Sequence, residues 1–153
     1  MFSSERKNDE AFKNFMSEHS EEILNLFTEL YNSVNAEDDF DEEASDAGED
    51  TNVWALRECM KLEYQMLQDY SFLRNNFSNS VPRLKLTLKL LNNSDTSIEQ
   101  EAILHLSVFV LVPNREPKIV DILHRNKDIL IDFMSNYRPH HMEQDFEALL
   151  EIL

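Results

Sequence analysis

An all-α fold of stacked helical pairs is what this 153-residue chain predicts, on three observations. The first is a single glycine, Gly48, where ordinary usage of roughly 7% would place about ten. Strand-turn-strand folds and phosphate-cradling loops both need glycine at positive φ, so α structure is favoured and nucleotide loops are excluded by count. The second is apolar spacing of three and four residues along most of the chain. The third is punctuation by Asn, Ser, Asp and Pro into helix pairs that each need a neighbour to bury a face. With 42% hydrophobic residues the chain can fill one core of ordinary size.

Taken in order, Glu10 to Met16 is a short helical piece with Phe12, Phe15 and Met16 on one side. Ser20 is placed to cap a helix whose first turn carries Glu21 and Glu22, favourable at the positive end of the dipole. Ile23, Phe27, Leu30 and Val34 form its stripe. From Thr51 or Asn52 a long helix runs to Asn75 or Asn76, with Val53, Leu56, Met60, Leu67 and Tyr70 on one face. SNSVP at 78–82 resets the chain, and Pro82 suits a first helical turn. Residues 83–91, RLKLTLKLL, alternate like a half-buried strand, yet Leu84, Leu88 and Leu91 also form a helical face. No partner strand with turn chemistry lies nearby, so the segment is read as helix. Thr96 and Glu99 form a capping box. Ile98, Ala102, His105, Leu106, Phe109 and Val110 then make a stripe so broad that the helix is expected to be largely buried.

Pro113 ends that helix. Pro117 opens a short one with Ile119, Val120, Ile122 and Leu123, and Asn126 caps another in which Ile129, Leu130, Phe133, Met134 and Tyr137 point inward. Pro139 marks a further break before an amphipathic segment from Met142 to Leu153.

Charge is unevenly placed. The net charge is −16, and 37–50 (EDDFDEEASDAGED) holds nine acidic residues and no basic one. Such a block repels itself and buries little, so residues 1–153 read as a single helical domain with 36–50 an acidic, disordered loop inserted between helices. A calcium loop would set Gly48 at its sixth position and put Glu43, Ser45 and Ala47 at the first, third and fifth, with Trp54 at the twelfth. That set does not ligate calcium. The acidity also opposes nucleic-acid binding, which needs Lys and Arg against phosphate.

Catalytic and metal chemistry find no footing. His140 and His141 lack both HExxH spacing and a carboxylate set, His105 reads as a hydrogen-bonded core residue, and no Ser-His-Asp or paired-carboxylate arrangement follows from spacing. No cofactor is expected, and the chain reads as a non-enzyme. Cys59 cannot form an internal disulfide, which with no signal peptide places the chain in the cytoplasm. The apolar run from Leu106 to Pro113 is too short to span a bilayer.

The phrase LKLLNNSDTSIEQEAILHL resembles armadillo and HEAT repeats, which implies a right-handed α-solenoid of about three helical repeats. The longer run IEQEAILHLSVFVLVPNREPKIVDILHRNKDILIDFMSNY resembles the C-terminal repeats of the calcium-binding protein 39 family, also called mouse protein 25. The matching positions are Gln100 to Ala102, Val108 to Val110, Pro113 and Asn114, Pro117, Ile119 to Leu123, Asn126, and Phe133 with Tyr137. A weaker likeness runs upstream through FMSEH and FTELYNSVN. The resemblance implies a non-catalytic scaffold that binds a sterile-twenty-type kinase or a STRAD-like pseudokinase and stabilises its active conformation. It also implies a pocket for a Trp-Glu-Phe tail. In this chain the pocket falls on Leu84 and Leu88 as floor, with Lys85 and Arg57 as the basic side chains. The same residues fit blander roles: Lys85 and Lys89 a solvated helix face, Leu84 and Leu88 core. Self-association through exposed repeat ends is the alternative reading.

Overall fold

The computed structural model describes residues 2–36 and 47–136, with side chains described at 9–33 and 52–133. Among these residues the chain is helical throughout, with no strand: α1 (Phe2–Glu18), α2 (Ser20–Ala36), α3 (Ala47–Asp69), α4 (Ser71–Ser78), α5 (Val81–Leu90), α6 (Thr96–Leu111), α7 (Pro117–Arg125) and α8 (Lys127–Asn136). The all-α expectation is met. Of the acidic segment, 37–46 lie outside the described residues and Ala47 to Asp50 form the first turn of α3.

α6 is the centre of the molecule, packed against α3, α4 and α5. Its residues from Ile98 to Val110 are buried on nearly every side, Ile98, Ala102 and Phe109 completely. At roughly 1.5–3 kcal/mol for each large apolar side chain taken out of water, this helix supplies much of the drive to fold. α2 lies against α3 and α4 through Leu24, Phe27 and Tyr31. α7 joins the core by Ile119 and Leu123, and α8 by Leu130.

Several local expectations need correction. Residues 51–76 are two helices, because Tyr70 is extended (φ −122°, ψ 102°). In an unbroken helix of 3.6 residues per turn, Leu73 and Phe77 would project roughly a quarter turn away from the Leu56, Met60 and Leu67 stripe. The break turns both into the core, where they are 0% and 1% exposed. The cap of α6 is Asp95 rather than Thr96: its Oδ1 accepts from Ser97 N (2.7 Å), Ile98 N (3.3 Å) and the Ser97 hydroxyl (2.5 Å). These bonds, that from the Ser97 side chain foremost, hold the Asp95 carboxyl below its usual range. A charged acceptor at the positive end of a helix outcompetes the neighbouring hydroxyl.

Ser20 begins α2, and its Oγ accepts from Asn76 Nδ2 (2.5 Å), tying α2 to α4. Asn126 closes α7 by donating from Nδ2 to the Ile122 carbonyl (2.8 Å). α1 extends well beyond the short piece expected at 10–16, and Ile129 faces outward at 70% exposure. The side chains of Val34 and Met134, together with Tyr137, His140, His141 and the 142–153 segment, lie outside what is described.

α5 settles the ambiguity at 83–91. Arg83, Leu84, Thr87 and Leu90 are buried, a three-and-four spacing that a strand cannot produce. Pro82 stands in its first turn, as expected. No described helix is long and apolar enough to cross a membrane.

Candidate functional site

The four residues singled out by sequence occupy different environments. Leu84 is fully enclosed, so it belongs to the core and offers no surface to a ligand. Leu88 is half-buried against the same core, and Lys85, one turn earlier on α5, is exposed. Arg57 is half-buried on α3, and its charge favours the ionised forms of Asp95 and Glu101. It therefore sits beside the first turns of α6, the end reached from Leu88 through the short turn at 91–95. Its Nε is buried and has no hydrogen-bond partner among the described residues. Lys61, one turn after Arg57, pairs with Glu58 at 2.8 Å and opposes the burial that pushes the Glu101 carboxyl up. Arg57 and Lys61 thus form a basic edge beside the first turns of α6. Such an edge can receive a carboxylate.

A second arrangement was not visible in the sequence. Glu63, fully buried on α3, is the hub of a polar cluster that joins four helices. The Tyr31 hydroxyl on α2 donates to Glu63 Oε2 (2.5 Å), Arg83 Nη2 on α5 pairs with Oε1, and His105 Nε2 on α6 lies 3.2 Å from Oε2. Arg83 Nη1 also donates to Thr28 Oγ1 (2.8 Å), and its guanidinium lies over the Tyr31 and Phe77 rings, 5.4 and 5.2 Å from their centroids. His105 Nδ1 is 2.8 Å from the Glu101 carbonyl. A carbonyl can only accept, so Nδ1 carries the hydrogen.

Burial governs the titration of this cluster. It lowers Arg83 to about 10 and raises Tyr31 well above its ordinary range. His105 falls to about 4, through burial first and then the charge of Arg83. The ring is neutral near pH 7, as a hydrogen-bonded core histidine should be.

The cluster holds no nucleophile beside an available base, and no group of three or more metal-ligating side chains exists among the described residues. Its chemistry is that of a structural clasp. The signal for Glu63 was its place in the Leu56, Met60, Leu67 stripe, where an acid demands a buried partner.

Comparison with known proteins accords with the helical architecture. The family model described as Mo25-like matches residues 9–151. The degreening-related gene dee76 protein of Auxenochlorella protothecoides is 25% identical over 139 residues, covering 90% of this chain and 41% of that protein. Calcium-binding protein 39-like of Homo sapiens is 24% identical over 141 residues, covering 88% and 39%. A putative MO25-like protein of Arabidopsis thaliana is 28% identical over 102 residues, covering 65% and 30%. The chain thus spans about two fifths or less of the length of these relatives. By the match of the family model along nearly its whole length, the chain belongs to the Mo25-like family.

Proposed function

We propose that the protein is a non-catalytic cytoplasmic scaffold that binds a protein kinase or pseudokinase by an aromatic, acidic C-terminal tail and stabilises its active conformation. Family membership supports the scaffold role. The observation that carries the tail reading is Arg57, half-buried beside the first turns of α6, whose buried Nε has no partner among the described residues. A buried donor left unmet costs roughly 1–3 kcal/mol, and a ligand carboxylate would recover that cost. Lys85 stands on the same side of α5 as Leu88, three residues before it, and adds a second positive charge. Leu84 supports the floor from within.

Titration with a fluorescent peptide ending in Trp-Glu-Phe tests the site. Saturable binding tighter than about millimolar is expected, lost in Leu88→Asp; an unchanged affinity in that variant would sink the reading.

A second reading rests on the apolar surface of α1 and α2, where Phe12, Phe15, Leu26 and Leu30 are 50%, 54%, 59% and 46% exposed. Such residues fit an assembly module that pairs with a further helical repeat or a second copy. A dimer whose population rises with concentration in light scattering favours the pairing of two copies, and a strict monomer removes it.

A further inference from the structure

We propose that a cleft of about 410 Å3 between α2 and the starts of α5 and α7 binds a lysine- or arginine-bearing stretch of polypeptide. It is separate from the tail site. The tail site lies toward the C-terminal end of α5, whereas the cleft takes Pro82 and Arg83 from the N-terminal end. Three carboxamides line it, Asn25 from α2 and Asn76 and Asn79 from the α4–α5 junction, with the Ser80 hydroxyl.

Part of this polar surface is already engaged. Asn76 Nδ2 donates to Ser20 and Asn79 Oδ1 accepts from the Glu116 N–H (3.1 Å). Asn76 Oδ1, Asn79 Nδ2 and the Asn25 carboxamide take no part in these bonds among the described residues. A set of spare amide donors and acceptors matches the peptide bond, which presents one of each.

Charge decides what kind of peptide. Arg83 lines the cleft, but its guanidinium is committed to the Glu63 carboxylate and the Thr28 hydroxyl and lies over two rings. The remaining charges in the lining are the carboxylates of Glu21 and Glu116, on a chain of net charge −16. An anion would need free N–H groups at the helix starts. Those are depleted: Pro82 and Pro117 stand in the first turns of α5 and α7, and the Glu116 N–H is taken by Asn79. An ammonium or guanidinium in the cleft is drawn by both carboxylates, which share its lining with the carboxamides.

The test is chemical-shift mapping of the 15N-labelled protein with the pentapeptide acetyl-Gly-Gly-Arg-Gly-Gly-amide and its citrulline counterpart, which keeps the shape and loses the charge. The side-chain amides of Asn25, Asn76 and Asn79 should shift saturably, with a dissociation constant of about a millimolar for so small a probe. The citrulline peptide, and the Glu21→Gln/Glu116→Gln variant, should each bind about fivefold more weakly, as loss of two exposed ion pairs implies. Glu29→Gln on the same helix is the control for general attraction and should leave the affinity unchanged. The spectra report in the same experiment that each variant is folded. Equal binding of the citrulline peptide, an equal loss in Glu29→Gln, or shifts that spare the three asparagines would overturn the proposal. Lys85→Ala weakens only the aromatic tail, so failure at either site is read separately.

Discussion

Glu63 shows how one residue can set the character of a core. A lone carboxylate in the apolar stripe of α3 costs several kcal/mol to bury, and the pairing with Arg83 and Tyr31 offsets that cost only while both partners remain. Glu63→Leu is therefore expected to destabilise by about 3–5 kcal/mol, chiefly by stranding the Arg83 charge. Glu63→Leu/Arg83→Leu should recover most of that loss. Urea unfolding of the two singles and the double measures the coupling, and additive losses would show that the pair does not act as a unit.

His105 supplies a second test at this scale. Its folded value of about 4 lies below the 6.5 of an exposed ring, so between those values the unfolded chain binds more protons. Stability then falls as pH drops from 6.5 toward 4 and is unaffected by this group above 6.5, on the order of 3 kcal/mol in total. The difference between the wild-type and His105→Leu profiles should show that slope, confined to that window. His105 was legible in the sequence as a buried, hydrogen-bonded ring, because it falls on the stripe of α6. Its neighbours were not. Arg83 lies two helices after Glu63, and no spacing rule connects residues whose meeting depends on how helices stack.

At the scale of elements, the sequence reads best where one signal dominates. Pro113 and Pro117 bracket the α6–α7 connection, and the buried stripe of α6 is as broad as its apolar pattern implies. It reads worst where two signals compete. Tyr70 continues a helical stripe, yet the chain breaks there to aim Leu73 and Phe77 inward, a choice made by the core rather than by local propensity. Thr96 with Glu99 is a sound capping box, but Asp95 precedes it and captures both N–H groups. Asp95→Ala should cost about 1 kcal/mol, within the usual 0.5–2 for a lost cap, and Thr96→Ala far less, by thermal or urea unfolding. Ile129 and Leu130 are adjacent and both apolar, and only packing decides that Leu130 turns inward.

Across the whole molecule, helices of modest length share a core centred on α6, and the surface divides by charge. Arg57 and Lys61 offer positive charge beside the first turns of α6 and Lys85 adds one on α5, whereas Glu21 and Glu116 border the cleft at the start of α5. The membership of the Mo25-like family was legible from the run 98–137, because packing positions in α6 to α8 carry the pattern. The proposed tail site is harder to read, since it depends on surface residues of α3 and α5 whose mutual placement follows from how both pack on α6. Leu84 in particular is core, and the contact surface must come from Leu88.

The claim that this is a tail-binding scaffold stands on the pairing of a ligand carboxylate with Arg57. Its most direct test is a calorimetric double-mutant cycle with peptides ending in Trp-Glu-Phe or Trp-Gln-Phe against wild type and Arg57→Ala. Removing either charge should weaken binding about tenfold, and removing both should cost little more than removing one, as expected for a charge-assisted hydrogen bond. Equal affinity of the two peptides for the wild type, or fully additive losses, would contradict it.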